Sequence, residues 1–319
     1  MKLVIAPGEG DAALADRIRA AAPGVEVALP ADHATLLREL SDADAFYGNI
    51  APDLLAAAPR LRWVQSPNIS LERFMFPDLI AHPVVMTNPR GIYSEHIADH
   101  VMGFVLSLAR GFHRYRDAQL RREWKRSSEE YPEDVVHLPD STIGIFGLGG
   151  IGSAVATRAH AFGMRVLAVD ARTTEPPPEV ARLWGPEGLT EMLGESHFVV
   201  ICTPETPETR GLFDERTIGA MKRGSFLINI GRGKVVVLDA VVAALRSGQL
   251  GGVGFDVFET EPLPSDHPLW GFENAVLTPH VAGAGPHVDE RRRRILVENA
   301  RRFAAGQPLI NVVDKARWF

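Results

Sequence analysis

The chain has 319 residues, with 34 Lys and Arg against 40 Asp and Glu, a formal net charge of −6. At 45% apolar and 23% charged residues it has the balance of a globular protein with chain for about two domains, and the acidic total argues against a nucleic-acid binder. One cysteine, Cys202, excludes an internal disulfide and a Cys-rich zinc site and suits a reducing cytosol, while no apolar run reads as a signal peptide or a membrane helix.

In chain order, residues 2–6, 25–29, 43–47, 61–65 and 84–87 read as strands, being short, apolar and bounded by turn residues. Helical patterns at 11–22, 35–40 and 52–58 lie between them, the first with Leu14 and Ile18 behind a capping Asp11. Strands alternating with helices predict a parallel sheet covered on both faces, one small α/β domain. A long amphipathic helix is expected from Ser94, as N-cap, to about Arg110, with Gly111 as its stop. Residues 112–140 read as a charged, irregular arm in which acids balance Arg114, Arg116, Arg121, Arg122, Lys125 and Arg126.

The alternation restarts with strands at 142–146, 165–169, 197–202, 225–230, 252–255 and 275–277, and helices at 151–162, 215–221 and 238–247. Pro176, Pro177 and Pro178 form a rigid loop. A closing helix at 288–305 carries the run Arg291 to Arg294, which reads as a solvated face.

The strand at 142–146 runs into Gly147-Leu148-Gly149-Gly150-Ile151-Gly152, which opens the helix at 151–162. A G-x-G-x-x-G is weak alone, but in this place the glycines serve the turn, backbone approach to a pyrophosphate, and close helix–strand packing. The next strand ends at Asp170, an acid that can take the ribose hydroxyls and repel a 2′-phosphate, which predicts NAD(H) over NADP(H). Arg172 lies two residues on and can pair with such a phosphate, so NADP(H) stays open. Three later strand exits carry Arg232, Glu261 and His280, a set suited to carbonyl chemistry: Arg forks onto a carboxylate, and His moves a proton near neutral pH beside an orienting acid.

These segments, 144–152 and 224–283 above all, resemble the D-isomer-specific 2-hydroxyacid dehydrogenases, which include glyoxylate/hydroxypyruvate reductases, phosphoglycerate dehydrogenases and D-lactate dehydrogenases. The resemblance runs from the strand at 61–65 to Asn311 and implies NAD(P)H-dependent reduction of a small anionic 2-keto acid to the D-2-hydroxy acid, and the reverse. It implies that Arg232 binds the substrate carboxylate, that His280 moves the proton and that Glu261 pairs with His280. Asp256 is implied to contact the nicotinamide carboxamide, with Thr203, Pro204, Ile230 and Gly283 lining the cofactor.

The implied fold is α/β, with two doubly wound parallel-sheet domains. A Rossmann cofactor domain (93–285) is inserted into a flavodoxin-like catalytic domain (1–92 plus 286–319). The long helix and charged arm resemble the family's dimerisation elements, which implies a homodimer. Where the family usually carries a glycine-containing substrate loop, this chain reads Ser66-Pro67-Asn68-Ile69-Ser70. Pro67 removes a backbone donor, and Asn68, Ile69 and Ser70 are left to hold substrate.

Two other readings stand beside the reductase. The fold also serves as a non-enzymatic NAD(H)-sensing interaction protein, which turnover would distinguish. Formate dehydrogenase uses Arg and His but replaces the acid partner by Gln, and Glu261 speaks against it. His96 and His100, four apart on a helix, have no third ligand and are expected to make packing or capping contacts rather than hold a metal.

Overall fold

The computed structural model describes residues 1–71, 73–124 and 135–316. Lys125 and Arg126 of the charged arm, with Glu129, Glu130, Glu133 and Asp134, lie outside the described residues. The chain divides into two compact units, Met1–Ile92 with Pro286–Phe319, and Tyr93–Gly285.

In the first unit, strands β1 (Lys2–Ile5), β2 (Glu26–Ala28), β3 (Ala45–Tyr47), β4 (Trp63–Gln65) and β5 (Val85–Thr87) form one sheet in the order β2-β1-β3-β4-β5. Each neighbouring pair is parallel. Strand side chains alternate between two buried clusters. Leu3, Ile5, Tyr47 and Trp63 enter one, with α1 (Ala12–Ala21) and the closing helix Val288–Ala304. Val4, Phe46, Val64 and Met86 enter the other, with α2 (His33–Leu40), α3 (Pro52–Ala56) and α4 (Pro77–Ala81). Both faces are covered, so the strands lack a polar side, as parallel strands do. Asp11 and Asp32 cap α1 and α2 by accepting from Leu14 N and Thr35 N.

In the second unit, strands β6 (Thr142–Phe146), β7 (Arg165–Val169), β8 (Arg182–Trp184), β9 (Phe198–Ile201), β10 (Ser225–Asn229), β11 (Leu250–Phe255) and β12 (Ala275–Leu277) form a parallel sheet in the order β12-β11-β10-β9-β6-β7-β8. The chain reverses direction across the sheet between β6 and β9, and a crevice opens beyond the carboxyl ends of the strands at such a point. Helix α5 (Ser94–Arg110) packs on one face with the helix Gly150–Ala161. Leu238–Ser247 and shorter helices cover the other. Among the described residues, no helix is long and apolar enough to cross a membrane.

Several local expectations need correction. Ser94 is the first residue of α5, and the N-cap position is held by Tyr93, whose side chain does not cap the helix. The Ser94 side chain is instead buried against Gly150, where an added Cβ would meet its Oγ at 2.9 Å. The arm is partly regular: Gly111 ends α5 at φ 66 and α6 (Phe112–Leu120) follows at once. The helices Pro77–Ala81 and Leu189–Glu195 and the edge strand β8 carry too short a pattern to be read from sequence. The arginines of the closing helix are an ion-paired face, with Arg293 on Asp11 at 3.0 Å, Arg292 on Asp289 at 2.6 Å and Arg294 on Glu290 at 2.9 Å.

Candidate active site

The glycine segment leaves β6 at the reversal point of the second sheet. Gly147 takes φ 100, which a side chain resists, and its N–H donates to Val169 O. A Cβ on Gly152 would lie 2.0 Å from Gly147 O, so only glycine lets the helix start against the turn. Gly149 is the N-cap of Gly150–Ala161, with no side-chain cap and open space where its Cβ would be. The first turn therefore offers its N–H groups and positive dipole end to an anion. Ile151 is half-buried just inside that turn.

Asp170 follows β7 on the other side of this loop. Its Oδ2 accepts from Leu148 N at 2.7 Å, and its Oδ1 from Arg172 N at 2.8 Å and Thr173 N at 2.7 Å. Burial by itself would raise its pKa, but the backbone donors of Thr173, Arg172 and Leu148 outweigh that and hold the carboxyl below its ordinary value. The side chain of Arg172 is exposed. Across the reversal point, β9 delivers Thr203 and Pro204. Thr203 Oγ1 is buried without a hydrogen-bond partner among the described residues, and Pro204 O accepts from Thr209 Oγ1. An uncapped helix start, an open glycine, an ionised acid and an orphaned hydroxyl around one crevice are the donors and acceptors that a dinucleotide requires.

Arg232, Glu261 and His280 stand beyond the carboxyl ends of three adjacent strands, β10, β11 and β12. After β10, the buried Asn229 ties the turn: its Oδ1 accepts from Gly231 N at 3.1 Å and its Nδ2 donates to Arg232 O at 3.1 Å. Ile230 is buried, and Arg232 Nη1 donates to Gly231 O at 2.7 Å. The Arg232 turn lies against the loop after β11, since a Cβ on Gly233 would fall 1.9 Å from both C and O of Phe258.

In that loop Glu261 is held by Phe258 N, which donates to Oε1 at 3.0 Å, and its Oε2 lies 2.7 Å from His280 Nδ1. His280 follows β12 with φ 55, an uncommon conformation for a residue with a side chain. Its imidazole is 55% exposed, and the Glu261 bond at Nδ1 leaves Nε2 as the outward atom. Asp256 is 2% exposed; it accepts from Val281 N and Ala282 N at 2.9 Å and from Thr278 Oγ1 at 2.6 Å. Gly283 packs near Tyr93.

The sequence-chosen residues of the second unit thus share one sheet edge. Asn229, Thr278 and His100, which sequence reading passed over as site residues, hold that edge together. An Asn two residues before Gly231-Arg232-Gly233 was the available signal for the first.

Asn68, Ile69 and Ser70 belong to the first unit. There Asn68 Nδ2 donates to Asn49 Oδ1 at 2.9 Å, Asn68 N donates to Ser66 Oγ at 3.1 Å, and Ile69 O accepts from Asn88 Nδ2 at 3.1 Å. His96 and His100 join no metal-binding group among the described residues.

Residues 102–282 match the family described as D-isomer specific 2-hydroxyacid dehydrogenase, NAD binding domain. The chain is 35% identical over 295 residues to a glyoxylate reductase of Aeropyrum pernix, covering 90% of this chain and 87% of that one. Among solved structures, it is similar to a D-isomer specific 2-hydroxyacid dehydrogenase from Xanthobacter autotrophicus Py2 in complex with NADPH and MES. That likeness has a TM-score of 0.81 and 29% identity, over 100% of this chain and 99% of that one. An NADPH-dependent glyoxylate/hydroxypyruvate reductase from Sinorhizobium meliloti, in complex with NADP and sulfate, matches at a TM-score of 0.80 and 30% identity over the whole of both chains.

Proposed function

The chain belongs to the D-isomer-specific 2-hydroxyacid dehydrogenases, and we propose from this that it reduces a small 2-keto acid to the D-2-hydroxy acid with NAD(P)H. The observation that carries the reading is the 2.7 Å pair of Glu261 Oε2 and His280 Nδ1, standing beside Arg232 at the edge that also holds the glycine loop. When bound, the nicotinamide supplies the hydride. His280 donates a proton from Nε2 to the keto oxygen during reduction and takes it back during oxidation. Glu261 keeps the ring in the tautomer and orientation this needs, and compensates the positive charge of the protonated imidazole. Arg232 grips the substrate carboxylate and draws electron density from the carbonyl. Asn68, Ile69 and Ser70 of the first unit are assigned substrate contacts, with the domain bounds 1–92 plus 286–319 for substrate and 93–285 for cofactor.

Asp170 favours NAD(H), because its ionised carboxylate repels a 2′-phosphate, and Arg172 is the group that would receive one. The chain dimerises through the second unit, where Phe112, Leu120 and Trp124 in and after α6 are 57%, 65% and 91% exposed. The deciding experiment is a panel of glyoxylate, hydroxypyruvate, pyruvate and branched 2-keto acids, each assayed with NADH and NADPH. Turnover with a higher kcat/KM for NADH supports the whole reading. A preference for NADPH overturns the cofactor assignment, and turnover of none overturns the activity.

A further inference from the structure

We propose that His100 is a positioning residue for proton transfer at His280, acting through Thr278 and Asp256. The inference rests on the reading of His280 as the proton donor. His280 occupies the left-handed region at φ 55, where a side chain is disfavoured, so its neighbours must hold it there.

The buried Asp256 does so. Its carbonyl accepts from His280 N at 2.8 Å, and its carboxylate accepts from the next two N–H groups, those of Val281 and Ala282, both at 2.9 Å. The carboxylate also accepts from Thr278 Oγ1 at 2.6 Å, two residues before His280.

A threonine hydroxyl has one proton and two lone pairs. The Thr278 proton is committed to Asp256, which as a carboxylate only accepts. His100 Nε2, 3.0 Å from Thr278 Oγ1, is therefore the donor of that bond and carries the ring proton. The result is a one-directional chain from His100 through Thr278 to Asp256, in which each bond polarises the next. His100 Nε2 is 3.9 Å from Asp256 Oδ1, beyond hydrogen-bond reach, so its influence passes through Thr278.

The fold is arranged for this reach. A Cβ on Gly254 of β11 would lie 2.7 Å from Phe104 Cγ, so glycine lets α5 settle onto the strand. His100 stands one turn before Phe104 and rests on it edge to face, with centroids 4.7 Å apart at 87°. A helix otherwise occupied with packing thereby brings a ring nitrogen to the loop that carries His280.

The test compares wild type with His100→Phe, His100→Gln, Thr278→Val and the double variant His100→Phe/Thr278→Val, on the best substrate of the 2-keto acid panel. Phenylalanine keeps the ring against Phe104 and loses the donor; glutamine returns an N–H at similar reach. His100→Phe is expected to lower kcat about tenfold while the KM for the keto acid stays within about twofold. His100→Gln recovers most of the loss, and His100→Phe costs nothing further in the Thr278→Val background.

An unchanged kcat in His100→Phe, or an equal loss in both backgrounds, overturns the proposal. A wild type that turns over no 2-keto acid defeats the functional reading instead. The proton resonance of the His280 Nδ1–Glu261 hydrogen bond, followed by NMR, then decides the positioning separately. Its loss in His100→Phe with retention in His100→Gln supports the role, and an identical signal in all variants overturns it.

Discussion

The proton delivery proposed for His280 depends on which ring nitrogen faces outward, and the Glu261 bond at Nδ1 decides that. His280→Ala removes the donor while leaving the glycine loop and Asp170 intact. We expect kcat to fall roughly 10²- to 10⁴-fold with NADH affinity nearly unchanged, measured by turnover and by nucleotide fluorescence titration. Asp170 makes a pH prediction. Its folded pKa is depressed, so its contribution to stability is fully present above the ordinary carboxylate pKa and is lost as pH falls through the lower folded value. Asp170→Asn cannot titrate, and it turns an amide N–H toward Leu148 N. Urea unfolding across the acid range should give the variant a flatter loss of stability with falling pH, and its affinity for NADH should drop about tenfold. An unaltered acid limb would show that the three backbone bonds do not depend on the charge.

At the scale of elements, the two turns that carry Arg232 and Glu261 function as one piece, because Gly233 lets the first lie directly on Phe258. A methyl group there would occupy the position of the Phe258 backbone, at 1.9 Å, and no rotamer change relieves a clash with backbone. Gly233→Ala should therefore cost about 3 kcal/mol or more and separate the Arg232 turn from the Glu261 loop. The expected result is a lower urea midpoint with turnover lost beyond what unfolding explains. Full activity at normal stability would refute this coupling. The glycine loop was legible in the sequence since everything it does is local, spanning six residues between a strand and a helix. The need for Gly233 was not, since its obstacle arrives from 25 residues further along the chain. Strand β8 and the helices Pro77–Ala81 and Leu189–Glu195 escaped for another reason: a pattern of three to seven residues barely registers as a period, and their stability comes from packing on neighbours.

At the scale of the whole molecule, the exposed apolar side chains of the second unit make an assembly prediction. Phe112, Leu120 and Trp124 add to the surface what a folded monomer usually hides, beside a depression lined by Tyr115, Arg122 and Trp124. Sedimentation should find a dimer, and Leu120→Asp should shift it toward monomer without lowering the unfolding temperature of the monomer by more than a few degrees. A wild-type monomer at micromolar concentration would overturn the assignment.

The placement of the candidate site was already written in the order of residues. Glycine, acid, arginine, glutamate and histidine each follow an apolar strand, and parallel strands bring their carboxyl ends to one edge, so spacing along the chain becomes proximity in space. Strand alternation and helix periodicity likewise suffice to define two parallel sheets, because burial on both faces leaves an unmistakable apolar pattern. Tertiary structure alone decided how those groups are held: that Asp256 locks the His280 turn, that Thr278 and His100 stand behind it, and that Asn229 ties Arg232. Such bonds join positions up to 178 residues apart and depend on atoms meeting within a few tenths of an ångström. Residue types and spacings along the chain carry no record of that precision until the helices and strands have packed.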